Sequence, residues 1–167
     1  TGLPKGAVLS HRAMIARASV FAAELGLAPT DAFVAWAPMF HMASTDHALS
    51  TLLRGGTVVM IDGYDPDTIC RPIETHRIGW LVLIPGMIEP FIAHVKEKGV
   101  TPIGIRVCGA MADLVPPHQI SEITTLLNAP YLNSFGSTET GLPPATRSTI
   151  PIGVTPQTLS KQISAFC

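Results

Sequence analysis

Residues 133–141 read Asn133-Ser134-Phe135-Gly136-Ser137-Thr138-Glu139-Thr140-Gly141. An aromatic ring, a flexible glycine, hydroxyls and a carboxylate follow one another within a few positions. Phe135 can stack on a nucleotide base, Thr138 can bond a phosphate oxygen, and Glu139 is a hard oxygen ligand for Mg2+. Gly, Ser and Thr also cluster in ordinary turns, so the stretch gains meaning from its companions. The chain begins Thr1-Gly2-Leu3-Pro4-Lys5-Gly6, a glycine-bounded turn whose backbone N–H groups and single lysine suit a phosphate. It is not a Walker A loop, in which Ser or Thr follows the lysine. Three further segments stand between these two: Pro38-Met39-Phe40-His41, Pro85-Gly86 and Cys108-Gly109-Ala110-Met111.

Strands and helices alternate around these residues. Ser10 is a good N-cap, and Met14, Ala18, Phe21 and Leu25 recur behind it at helical spacing until Gly26. Residues 33–39 read as a buried strand, followed by a helix through Leu49, Leu52 and Leu53. Residues 57–61 form the next strand. Asp65-Pro66-Asp67 starts a helix with Ile69 and Ile73 on one face. Strands over 80–84 and 103–107 flank a helix carrying Ile88, Phe91, Ile92 and Val95. Pro116-Pro117 precede a helix with Ile120, Ile123 and Leu127, and residues 131–135 complete the sheet. Beyond Gly141 no period is evident. Such alternation predicts an α/β fold with a mainly parallel sheet covered on both faces. In such sheets ligands sit at the C-terminal strand ends, and His41, Pro85, residues 109–111 and residues 136–139 all fall there.

Composition narrows the field. The chain has 167 residues, 47% hydrophobic and 14% charged, with net charge -1. The charge content is low against a usual ~25%, which suggests a large core or a surface normally covered by other protein. Lys and Arg are scattered, so no nucleic-acid partner is indicated. No apolar run reaches the ~18 residues of a transmembrane helix. Cys70, Cys108 and Cys167 lie far apart without ligand spacing, as free thiols of a cytoplasmic protein do. His41 and Asp46 also satisfy a His-x4-Asp acyltransferase pattern, but two residues meet by chance and no supporting motif follows. The remaining histidines, with Asp46, read as structural or solvated.

Four segments in order carry a family resemblance. The opening turn resembles the second half of the phosphate loop of the adenylate-forming (AMP-binding) superfamily, which includes the acyl-CoA synthetases and fatty-acid–CoA ligases. Pro38-Met39-Phe40-His41 resembles that family's aromatic–His segment at the acyl pocket. Cys108-Gly109-Ala110-Met111 resembles its Gly-Gly-Ala loop, with Cys108 where Gly is usual. Phe135-Gly136-Ser137-Thr138-Glu139 resembles its Tyr-Gly-x-Thr-Glu loop, with Phe135 for the commoner Tyr. The match runs from Thr1 to about Ile152.

The resemblance implies ATP-dependent activation of a small-molecule carboxylic acid as an acyl-adenylate, then transfer to CoA. It implies that Thr1, Gly2, Lys5 and Gly6 hold the ATP phosphates, and that Phe135 and Gly136 meet the adenine. Thr138 would bond the α-phosphate, and Glu139 would hold Mg2+. Gly109, Ala110 and Met111 would pass close to both ligands, and His41 and Pro85 would line the acyl pocket. Lys5, His41, Thr138 and Glu139 form the catalytic set. Residues 1–167 would be a fragment of the large N-terminal domain, with the mobile C-terminal domain absent. Such a piece would be folded, inactive by itself and prone to self-association through surface exposed by truncation. The alternatives are adenylation of an amino or aryl acid for a carrier protein, and a non-catalytic nucleotide-binding α/β module. Adenylation domains for amino acids typically carry an Asp near the position of His41, and Met39-Phe40-His41-Met42 offers none.

Overall fold

The structure, a computed structural model, describes residues 3, 5–145 and 149–159. Helix α1 (His11–Leu25) starts where Ser10 accepts from the Ala13 N–H at 3.1 Å, and ends at a left-handed Gly26. Strand β1 (Ala32–Ala35), helix α2 (Met42–Leu53) and strand β2 (Val58–Met60) follow. Next come α3 (Pro66–Thr75), β3 (Ile78–Leu81), α4 (Ile88–Lys98) and β4 (Ile105–Cys108). A 3-10 turn (Ala112–Leu114) leads to α5 (Pro117–Leu127), β5 (Tyr131–Leu132), β6 (Phe135–Ser137), β7 (Gly141–Ala145) and β8 (Thr149–Ile150).

The main sheet runs β2-β1-β3-β4-β5-β8. Its first five strands are parallel, and β8 pairs antiparallel with β5 through Tyr131↔Ile150. The order reverses between β1 and β3. Right-handed crossovers therefore put α2 on one face and α3, α4 and α5 on the other. Contacts follow that division: α1 packs with α2 and β7, while α4 packs with α3 and α5. Strands β1 and β3 are buried along their whole length, as expected of central strands covered on both sides.

Two expectations need correction. Phe135 does not extend the main sheet. Strand β5 stops at Leu132, and the chain turns out into a separate β6–β7 hairpin. The segment after Gly141, read as irregular, contains β7 and β8; its Pro143-Pro144 pair hides the strand from propensity. Helix α2 also reverses the usual polarity. Ser44, Asp46, His47, Ser50 and Thr51 are buried, while Leu49, Leu52 and Leu53 face outward. The inward serine hydroxyls find backbone acceptors, Ser44 on the Ala37 carbonyl at 2.6 Å and Ser50 on the Ala18 carbonyl at 3.4 Å.

His47 lies in an aromatic nest, with ring centroids 4.4 Å from Phe21 and 4.2 Å from Trp80. Neither ring nitrogen has a partner among the described residues. Burial, then the charges of Arg54 and Arg17, push its pKa from the ordinary 6.5 to about 3. Between those two values the unfolded chain binds a proton that the folded chain refuses. This group therefore makes stability rise with pH across that window, by up to about 1.4 kcal/mol per unit. The expected outcome is a urea midpoint that falls on acidification below neutrality, and a His47→Leu variant with a flatter profile over the same range.

Gly109 has φ 75°, and a Cβ there would stand 2.1 Å from the Tyr131 ring. Gly109→Ala should cost about 3 kcal/mol or more through this clash and the left-handed backbone. Gly104→Ala, which meets nothing within 4 Å, is the matched control. Equal denaturation midpoints for the two variants would refute the packing argument.

Candidate functional site

Open parallel sheets bind ligands outside the carboxyl ends of strands where the strand order reverses. Here that place is between β1 and β3, and a cavity of about 460 Å³ opens there. It is lined by His41 and its α2 neighbours, by Trp80 of β3 with Val82 and Ile84 beyond it, by Ala110 and Met111 after β4, and by residues 134–139 after β5. Segments up to about 100 residues apart in the sequence thus share one wall.

His41 is the N-cap of α2, its Nδ1 accepting from the Ala43 N–H at 3.1 Å. This capping bond has a consequence. With Nδ1 engaged as acceptor, the neutral ring carries its proton on Nε2, where it can donate. The side chain is exposed at the cavity.

The loop after β4 is held by two buried aromatic donors. Trp80 Nε1 donates to the Gly109 carbonyl at 2.9 Å, and the Tyr131 hydroxyl donates to the Ala110 carbonyl at 2.9 Å. The Gly109 backbone lies against the Tyr131 ring, so packing requires a glycine there. Met111 adopts φ 50°, a left-handed conformation that is costly for a side chain of its size.

Residues 134–139 carry most of the polar chemistry. Ser134 is buried on the cavity wall, and its Oγ has no hydrogen-bond partner among the described residues. Phe135 is 60% exposed, so its ring face is accessible. The following turn is braced by Ser137 and Thr140, whose hydroxyls lie 3.1 Å apart. Thr138 and Glu139 project from it, exposed. The backbone N–H of Glu139, then the Ser137 hydroxyl, hold the Glu139 carboxyl below its ordinary range. No cluster of three or more His, Cys, Asp or Glu side chains occurs among the described residues. A single carboxylate still suits Mg2+, which usually takes one or two carboxylates together with substrate phosphates.

The structure does not gather every residue singled out above. Pro85 is half-buried in the turn beside the cavity, and Ile84 lines the wall in its place. Gly109 lies behind the wall. Lys5 and Gly6 are exposed before α1 and do not line this cavity. Thr1 and Gly2 lie outside the described residues. Ser134 and Trp80 were missed as site residues. The unpartnered hydroxyl and the indole facing two ways become visible only when the fold assembles.

Comparison with known proteins identifies the family. The family model for AMP-binding enzymes matches residues 1–162. The chain is similar to the sulfoacetate–CoA ligase of Cupriavidus necator, 27% identical over 144 residues that make up 86% of this chain and 28% of that protein. It is likewise similar to the indoleacetate–CoA ligase of Aromatoleum aromaticum, 30% identical over 141 residues, 84% of this chain and 28% of that one. It therefore spans little more than a quarter of the length of these relatives. Among solved structures, the N-terminal domain of FACL13 from Mycobacterium tuberculosis superposes with a TM-score of 0.75 at 20% identity, over 87% of this chain and 37% of that one. The O-succinylbenzoate coenzyme A synthetase of Bacillus subtilis, in complex with ATP and magnesium ion, gives 0.73 at 22% identity, over 87% and 30%. With the family model spanning nearly all of it, the chain belongs to the AMP-binding enzymes of the adenylate-forming acyl-CoA synthetase superfamily.

Proposed function

We propose that this chain is part of the N-terminal domain of an ATP-dependent acid–thiol ligase. The observation that carries the reading is the single cavity that joins His41, residues 110–111 and residues 134–139 at the strand-order reversal. In the first step a carboxylate oxygen of the acid attacks the α-phosphorus of ATP. The bond from that phosphorus to the bridging oxygen breaks, and pyrophosphate leaves. The nucleophile is already ionised, so positioning and charge neutralisation do the catalytic work and no general base is needed. In the second step the CoA thiol attacks the acyl carbon and AMP leaves. We assign that step to parts of the protein beyond this chain, the C-terminal domain above all.

Each residue takes a role in this reading. The exposed Phe135 face stacks on the adenine beside Gly136. The Thr138 hydroxyl bonds the α-phosphate. Glu139, held ionised, is the protein ligand for Mg2+, which when bound offsets the phosphate charge. His41 Nε2–H donates toward the reacting carboxylate or the α-phosphate. The Ser134 hydroxyl supplies a donor or acceptor to the bound acid within the cavity. Lys5, with the amides of Thr1, Gly2 and Gly6, meets the outer phosphates. Met111, and Pro85 behind Ile84, limit the acyl pocket. Amino-acid activation is less well supported, because Asp46, the carboxylate near His41, is committed to Arg17 at 2.6 Å and cannot hold a substrate ammonium.

The outward leucines of α2 fit a surface covered by further protein, and through them the isolated chain would self-associate. Among the described residues no helix is long and apolar enough to cross a membrane. A cytoplasmic enzyme remains our reading.

ATP–pyrophosphate exchange by the full-length protein tests the reading directly. Glu139→Ala should lower the exchange rate by roughly 100-fold or more. Phe135→Ala should raise the KM for ATP by about tenfold, the loss of one stacking interaction of ~1–2 kcal/mol. Exchange that persists unchanged in the Glu139→Ala protein would remove that residue from the chemistry.

A further inference from the structure

The turn that carries Thr138 and Glu139 leaves the main sheet after β5, so something outside the sheet must fix it. Arg17, in the middle of α1, reaches it. Its Nη1 donates to the Thr138 carbonyl at 3.0 Å, and its Nη2 donates to Asp46 Oδ1 of α2 at 2.6 Å and lies 2.8 Å from the Met14 sulfur. Both side chains of the pair are only 8% exposed. The end of the turn presses on the same pair. A Cβ at Gly141 would stand 2.7 Å from Arg17 Cδ and 3.3 Å from Asp46 Oδ2. A side chain there would force the turn off the guanidinium.

A buried ion pair is a poor way merely to join two helices, because apolar side chains of similar volume pack them as well or better. What apolar side chains cannot do is bond a carbonyl in a short turn. Asp46 holds one arm of the guanidinium, and its charge balances the cation, so the second arm can meet Thr138 without leaving an unpaired buried charge. We propose that Arg17 and Asp46 are a positioning pair that fixes the Thr138–Glu139 turn, and with it the metal-binding carboxylate, against the helical layer. The proposal rests on the adenylation reading for its functional half. Its structural half stands apart from that reading.

The test uses the full-length protein with Arg17→Met/Asp46→Leu, which retains volume and removes both charges. Amide hydrogen exchange of residues 137–140, measured without nucleotide, should accelerate roughly tenfold or more while the melting temperature stays within a few degrees. In pyrophosphate exchange the Mg2+ concentration for half-maximal rate should rise several-fold. The effect should largely vanish in a Glu139→Ala background, where the carboxylate being positioned is gone. Arg17→Lys keeps the charge but not the two-armed geometry, and gives the same readouts in smaller measure if the double variant does not fold. Unchanged amide exchange in a folded variant overturns the proposal, as does a Mg2+ midpoint equal to that of the parent. Pyrophosphate exchange left unchanged by Glu139→Ala would instead remove that carboxylate from the chemistry, and with it the functional half of the proposal. The nucleotide-free amide exchange would then decide the positioning role.

Discussion

A parallel ladder ends at the carboxyl edge of its sheet, and the carbonyls that leave there have no strand left to pair with. Buried, they need donors. In this chain aromatic side chains provide them. Trp36 Nε1 donates to the Val82 carbonyl at 2.9 Å, Trp80 to Gly109, and the Tyr131 hydroxyl to Ala110. The rings fill the space above the strand ends while their polar atoms fix the loops, the dual use that indole and phenol allow. The cavity wall is rigid on this side because the loop carbonyls are tied to the core. Its residues 110–111 inherit their position from Tyr131 and Trp80.

Apart from the paired charges of Arg17 with Asp46 and Arg106 with Asp31, the interior is kept electrically quiet. Burial pushes the Cys108 thiol up to about 12, and burial with the Glu74, Asp67 and Asp65 charges pushes Cys70 up to about 11, so both stay protonated. His47 stays neutral. At the far end of the sheet Asp31 accepts from Arg106 Nε at 2.8 Å and from the Ala28 N–H at 2.8 Å. Against this neutral background the polar atoms left open at the cavity stand out: the Ser134 hydroxyl, His41 Nε2 and the Glu139 carboxylate. A buried hydroxyl without a partner costs roughly 1–3 kcal/mol. Ligand contact is the simplest compensation.

Much of the fold was legible because local chemistry and tertiary packing agree. Ser10 and Asp65 cap the helices they were expected to start, and Gly26 and Gly99 end theirs in left-handed conformations. Ile69, Ile73, Phe91 and Ile120 are buried on the faces their spacing indicated. The five parallel strands were found but drawn too long, and the β6–β7 hairpin and β8 were missed. An apolar run marks burial, whereas pairing ends where the neighbouring strand ends. Helix α2 was found with its polarity unsuspected, since Ser44 and Asp46 take partners from outside the helix. The site segments could be located from residue type and from the strand-end rule, yet Arg17 could not. Its partners lie 29 and 121 residues away, and within its own helix it reads as a surface cation.

The contact between Gly109 and the Tyr131 ring also sets how this sequence can drift. A larger residue at 109 is tolerated only if the ring at 131 is lost, and losing the ring frees the Ala110 carbonyl. Two changes must then arrive together, with a poorly folded intermediate between them, so these positions are locked to each other by epistasis. Met111 and Phe135 are under no such bond. One is partly exposed and already in a conformation that glycine would accept, and the other is mostly solvent-facing. Diversification of the pocket can therefore proceed at its rim by single steps, while the hinge of packed aromatics behind it stays frozen.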